Sequence, residues 1–171
     1  MRQEQYQLWR AHQRTNREGA KAAKLDRFSK SETSQFQVNE HPANIERIGA
    51  AIVDCSIAVH RELGPGLLEN AYEFCLSHAL KKRGFSVECQ RSLPITYDGE
   101  TLDVGYRLDL IVENMVVIEA KAVEQLLPVH HAQVLTYLKL SGCTLGYLIN
   151  FNVPLLKEGL KRIVLNHPPS P

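Results

Sequence analysis

Residues 106–121 read YRLDLIVENMVVIEAK, two short apolar runs that each carry charges a buried strand does not tolerate without a reason. In the first run Tyr106, Leu108, Leu110 and Val112 alternate with Arg107, Asp109 and Ile111; in the second, Val116, Ile118 and Ala120 alternate with Val117, Glu119 and Lys121. A period of two predicts strands, each parity forming one face. Antiparallel pairing of the apolar parities sets Leu110 against Ile118 and Val112 against Val116, and with them Asp109 against Glu119 and Arg107 against Lys121. This register needs an odd loop, Glu113-Asn114-Met115, with Asn114 taking a left-handed conformation. A two-residue turn would put the two carboxylates on opposite faces, against the hydrophobic pattern.

Two carboxylates opposed in this way stand roughly 5 Å apart at Cβ and repel unless a cation or a proton lies between them. Lys121 points to the same side as Glu119. Asp, Glu and Lys on one face suit an oxygen-ligand site for Mg²⁺ or Mn²⁺, with an ammonium placed to hold an anionic oxygen. A solvated sheet face with a cross-strand ion pair has the same pattern, so the hairpin alone leaves both readings open.

The remaining chain bounds the answer. A length of 171 residues, 44% of them hydrophobic and 23% charged, predicts one globular domain with room for a sizeable core. The net charge of +1 conceals an asymmetry: residues 1–43 hold eight Lys/Arg against five Asp/Glu, the rest twelve against fourteen. The folded part is therefore not globally basic, and nucleic-acid contact would use a local patch, the N-terminal arm or metal ions. Cys55, Cys75, Cys89 and Cys143 are too scattered for a zinc cluster and read as reduced, mostly packed thiols. With no apolar run of membrane-spanning length and no signal-peptide core, the expected location is cytoplasmic.

Residues 1–43 are polar and poor in apolar side chains, which predicts a flexible extension before a folded domain over 44–167. Asn44 is placed to cap a helix running to about Leu63, before Gly64-Pro65-Gly66 breaks the chain. A second helix over 67–83 carries Glu69 and Tyr72 on one face. Strand segments follow over 85–90 and 93–97, then an Asp98-Gly99 turn and the hairpin. A helix from Pro128 to Leu140 aligns His130, Gln133 and Tyr137 on one face, ahead of an apolar strand over 144–151 and an edge strand near 163–165. The order predicts an α/β sandwich, a central mixed sheet flanked by helices.

Laid out in this way, the chain resembles the PD-(D/E)XK nuclease superfamily and, within it, the GxxExxY proteins. The naming motif stands as Gly66-Leu67-Leu68-Glu69-Asn70-Ala71-Tyr72, Asp109 with Glu119-Ala120-Lys121 resembles the nuclease core, and Gln133-Val134-Leu135-Thr136-Tyr137 resembles the QxxxY element of the RecB-like branch. Leu108 stands where the superfamily name has proline, a position that makes no bond to metal. The resemblance implies an α-β-β-β-α-β core and Mg²⁺- or Mn²⁺-dependent hydrolysis of phosphodiester bonds in nucleic acid, DNA rather than RNA. It implies that Asp109, Glu119, the backbone carbonyl of Ala120 and Glu69 hold the metal, that Lys121 completes the catalytic set with Asp109, Glu119 and Glu69, and that Gln133, Tyr137, Tyr72, Arg107 and His130 support it or contact substrate. This reading requires the carboxylates of Asp109, Glu119 and Glu69 to converge within reach of one or two ions. Its competitor is a non-catalytic module that binds nucleic acid or protein on the same scaffold.

Overall fold

The computed structural model describes residues 42–166, so the reading of 1–43 as a flexible extension lies outside the described residues except at its last two positions. Two helices come first, α1 (Pro42–Leu63) and α2 (Glu69–Lys82), followed by strands β1 (Val87–Tyr97), β2 (Glu100–Val112) and β3 (Val116–Lys121). Then come α3 (Pro128–Ser141), β4 (Leu145–Asn150), the single turn α4 (Leu156–Gly159) and β5 (Leu160–Val164). The five strands lie in chain order in one sheet. Only β3 and β4, joined through α3, run parallel; the other neighbours are antiparallel. This is the mixed α/β arrangement that the pattern predicts, since a parallel pair needs a crossover of the kind α3 supplies.

Some boundaries differ from the sequence reading. The segments expected over 85–90 and 93–97 form one strand, and α1 begins at Pro42 rather than being capped by Asn44. Proline suits a first turn because its missing N–H has no intrahelical acceptor there. The turn that separates β1 from β2 is built on left-handed Asp98 (φ 51°) and Gly99 (φ 75°).

The sheet divides two apolar clusters. On one face Ile48, Ile52 and Cys55 of α1 and Leu76 and Leu80 of α2 pack against Leu110, Val116, Ile118, Leu145 and Ile149. On the other, Val134, Tyr137 and Leu138 of α3 pack against Leu93, Leu108, Ile111, Val117 and Leu148. Strand β4 is buried throughout and β3 through Ala120, which is why both read as nearly continuous apolar runs. Each large side chain fully buried here contributes about 1.5–3 kcal/mol.

The hairpin forms in the predicted register, with Leu110 opposite Ile118 and Val112 opposite Val116. Its loop is odd, with Glu113 (φ 52°) and Asn114 (φ 57°) both left-handed and the Met115 N–H donating to the Val112 carbonyl at 2.9 Å. Beyond Leu110 two expectations fail. Pairing with β3 stops there, so Asp109 is not a ladder partner of Glu119 and Arg107 does not stand opposite Lys121. The alternation also breaks: Leu110 belongs to the α1/α2 cluster and Leu108 to the α3 cluster, although an unbroken pleat puts residues two apart on one face. Strand β2 turns over at Asp109. Across from it Gln90 is left-handed (φ 55°), and no pair forms between them, although Cys89–Leu110 and Arg91–Leu108 pair on either side.

Past this point β1 and β2 continue as a two-stranded arm. Its register shifts between Leu93 and Ile95, where Gly105 comes so close that an added Cβ would lie 1.9 Å from the Leu93 carbonyl oxygen. That contact is with backbone, so no side-chain rotation relieves it. Gly105→Ala is expected to cost about 2–4 kcal/mol, read as a thermal midpoint lowered by roughly 6–15 °C, whereas Gly99→Ala, strained in φ but facing open space, should cost less. Equal midpoints for Gly105→Ala and wild type would show that the arm does not pack in this way.

Candidate active site

The site forms where β2 leaves β3. Along the β3 edge that faces β2, the next N–H after the last pair belongs to Ala120, and it donates to Asp109 Oδ2 at 2.9 Å. One step further on the same edge, the Ala122 N–H donates to Oε1 of Glu69, in the first turn of α2, at 3.2 Å. Side-chain carboxylates thus replace the missing strand as acceptors for backbone donors that would otherwise be unpaired. Because N–H and carbonyl groups of one residue point the same way in a strand, the Ala120 carbonyl shares this edge with Asp109. Between the two bonded amides lies Lys121, its ammonium on the Glu119 carboxylate.

The opposite edge is also fastened. Phe151 N–H donates to the Lys121 carbonyl at 2.8 Å. The Asn150 side chain, 2% exposed, accepts from Val123 N–H at 3.1 Å and donates to its carbonyl at 2.8 Å, as a strand neighbour would.

Charge is concentrated here without full compensation. Glu119 is 1% exposed; one oxygen meets Lys121, and Oε2 is the one buried side-chain polar atom among the described residues with no hydrogen-bond partner. Burial first, and the Asp109 charge second, push Glu119 up to about 8. Burial raises Asp109 as well, against the opposing pull of the Ala120 N–H. Burial alone would depress Lys121, but its bond to Glu119 and the charges of Glu119, Glu69 and Asp109 outweigh it and hold the ammonium above its usual range. The surrounding carboxylates thus favour the charged form of Lys121 in this arrangement.

An unpartnered carboxylate oxygen beside a second carboxylate fits an oxygen-ligated divalent cation. The convergence expected of three carboxylates is met by two. Among the described residues no group of three His, Cys, Asp or Glu side chains is gathered to hold a metal ion, and Glu69 is held aside by the Ala122 amide. The physical reason is that orphaned backbone donors compete for carboxylates as an ion would.

The remaining candidates separate. From α3, Gln133 Nε2 donates to the Tyr137 hydroxyl at 2.5 Å. Burial raises the Tyr137 pKa and the Glu119 and Asp109 charges add to it, so this pair lies beside the acidic groups. His130 turns away: its Nδ1 accepts from Leu127 N–H at 3.1 Å and caps α3. Tyr72 is wholly buried, stacked on Phe151 at 4.5 Å and 7°, and so cannot contact substrate as expected. Its hydroxyl donates to the Gly64 carbonyl at 2.7 Å and accepts from Leu67 N–H at 3.1 Å, which fixes the loop that delivers Glu69. Arg107 is exposed on the arm.

Two contributors escaped the sequence reading. Glu73, one turn beyond Glu69, has its pKa raised by burial and by the Asp109 charge, and it accepts from Gln90 at 2.5 Å; its i, i+4 spacing from Glu69 was the available signal. Asn150 could have been noticed as the amide within the otherwise apolar run LGYLIN.

A family model for the PD-(D/E)XK nuclease superfamily matches residues 46–163, a span that contains every group described above, and the chain belongs to that superfamily. No curated protein and no solved structure matches it. Among the described residues no helix is long and apolar enough to cross a membrane.

The acidic pair makes a prediction about stability. Glu119 rises from 4.5 in its free form to about 8 in the fold, so the folded state binds this proton more tightly than the unfolded chain. Its contribution is complete below the lower value and is lost as pH rises through the higher one. In chelator, the wild-type midpoint should therefore fall between pH 5 and pH 8.5 by the equivalent of roughly 1–4 kcal/mol, while Glu119→Gln should show a flatter profile. Parallel profiles would contradict this assignment. The slope is the readout, because the substitution also weakens the Lys121 pair.

Proposed function

We propose that the chain is a divalent-metal-dependent nuclease that hydrolyses phosphodiester bonds in nucleic acid, with DNA preferred to RNA. The observation that carries this reading is the buried, unpartnered Glu119 oxygen set against Asp109, with the Lys121 ammonium alongside. Asp109, Glu119 and the Ala120 carbonyl would hold Mg²⁺ or Mn²⁺, and Glu69 would reach in by giving up its bond to Ala122. A bound divalent ion supplies Lewis-acid polarisation of a phosphoryl oxygen and acidifies water.

The chain's own groups account for the rest. The ammonium of Lys121 holds a phosphoryl oxygen or orients the incoming water. In the reaction, water adds its oxygen to phosphorus and one phosphorus–oxygen bond to sugar breaks, leaving a phosphate monoester and a hydroxyl. Gln133 and Tyr137 brace the α3 side of the pair, Tyr72 and Asn150 position the two segments that carry Glu69 and Lys121, and Glu73 adds negative charge at the rim. The run 66–72 supports placing the chain among the GxxExxY proteins.

Single-stranded, duplex and branched DNA and RNA incubated with a panel of divalent metals test this. Wild type should cleave with Mg²⁺ or Mn²⁺ and not in chelator, and Asp109→Ala and Lys121→Ala should each lose at least ~100-fold. Equal activity in all three proteins would mean a contaminant. Metal binding without cleavage of any substrate would favour the non-catalytic binding module.

A further inference from the structure

We infer that Tyr106 is a base-stacking residue, and that the nucleic acid entering the site is unstacked, single-stranded chain where it passes the β1–β2 arm. The inference rests on the nuclease reading above for the identity of the ligand. Its own support lies in where this ring stands and how little covers it.

Tyr106 lies in β2 three residues before Asp109, about 10 Å along an extended strand. The turn-over of β2 at Asp109 decides which face it occupies. Leu108 and Ile111 both pack towards α3, and the Tyr106 ring meets the Tyr137 ring of α3 with centroids 5.6 Å apart at 71°. By strand alternation the side chains of Glu119 and Lys121 lie on that same face with Val117. The ring, the ammonium and the buried carboxylate therefore border one space. Had the pleat continued through Asp109, Tyr106 would have joined Leu110 on the opposite face.

Tyr137 is 2% exposed, whereas Tyr106 is 44% exposed. An edge-to-face contact occupies at most one face of the Tyr106 ring, and the residue keeps 44% of its surface exposed. Its cross-strand partner is Leu93, which is buried in the α3 cluster, so the backbone at Tyr106 is held on the α3 side. An aromatic side chain anchored by one ring contact and largely exposed, beside a phosphoryl-transfer site, is what a nucleobase stacks on. In a duplex each base already has its faces covered by its neighbours, so only an unpaired or flipped base can take this position.

The test uses the full chain in chelator, so that binding is read without turnover. Fluorescence anisotropy compares a labelled single-stranded oligonucleotide, the same strand in a duplex, and the same length made of abasic units. Tyr106→Ala should weaken single-strand binding by about 5- to 150-fold, the range that loss of one stacked base gives, and should leave duplex and abasic binding unchanged. Tyr106→Phe should bind as wild type. Tyr106→Leu keeps an apolar side chain on Tyr137 but has no π face; it should lose affinity as Ala does, and it carries the test if the alanine variant does not fold. Absence of single-strand binding by wild type, or equal losses on all three ligands, overturns the inference. The two readings fail separately. Selective loss in a protein that never cleaves leaves the stacking and removes the nuclease; cleavage with Tyr106→Ala and Tyr106→Leu both indistinguishable from wild type removes the stacking and leaves the nuclease.

Discussion

Asp109 Oδ2 takes the Ala120 N–H at the place where β2, had it continued along β3, would have offered a backbone carbonyl. A hydrogen bond to a charged acceptor is worth about 1.5–3 kcal/mol net, enough to hold the end of β3 without a neighbouring strand. Because the substitute is a side chain, β2 is free to turn over and leave. Its departure opens the space in which Glu119, Lys121 and Tyr106 stand, and it sets the β1–β2 arm at the edge of that space. Glu69 repeats the device one amide later at Ala122 and joins α2 to the same strand end.

The same exchange explains the electrostatics. Asp109, Glu119 and Glu69 with Lys121 bring three negative charges and one positive to the end of a buried strand. The fold tolerates them by giving two carboxylates to backbone amides and one to the ammonium, and it still leaves one Glu119 oxygen without a partner. The excess is two negative charges, which a divalent cation cancels. Without one, protonation is the remaining way to relieve the pair, and burial already drives Glu119 in that direction. A site that is costly when empty gains more on filling, which is how function and stability come to oppose each other at such positions.

Much of this was legible in the sequence because it follows from parity. The hairpin register up to Leu110 and Ile118, the odd loop with left-handed Asn114 and the mixed sheet all descend from which residues must be buried together. The turn-over at Asp109 was not legible, since counting alternate residues assumes an unbroken pleat, and nothing in YRLDLIV marks the residue at which it fails. For the same reason Arg107 was set against Lys121, and Tyr106 was put on the wrong side of the sheet. Competition was equally hidden. Glu69 carries the right chemistry, but that the Ala122 amide takes its carboxylate depends on geometry at ångström scale. Tyr72 shares a helix face with Glu69 as expected, yet that face is roofed by Phe151. The Lys121 pKa is a balance between burial and three carboxylates, and residue type alone does not give its sign.

The central claim is that the Asp109–Glu119 pair is built around a divalent cation. A crystal structure of the protein soaked in Mn²⁺, with the ion located by its anomalous scattering, tests this most directly. The account predicts a peak within about 2.0–2.6 Å of one oxygen from each of Asp109 and Glu119, with Glu119 Oε2 no longer unpartnered. Manganese bound only elsewhere, or none bound while that oxygen stays empty-handed, would contradict it.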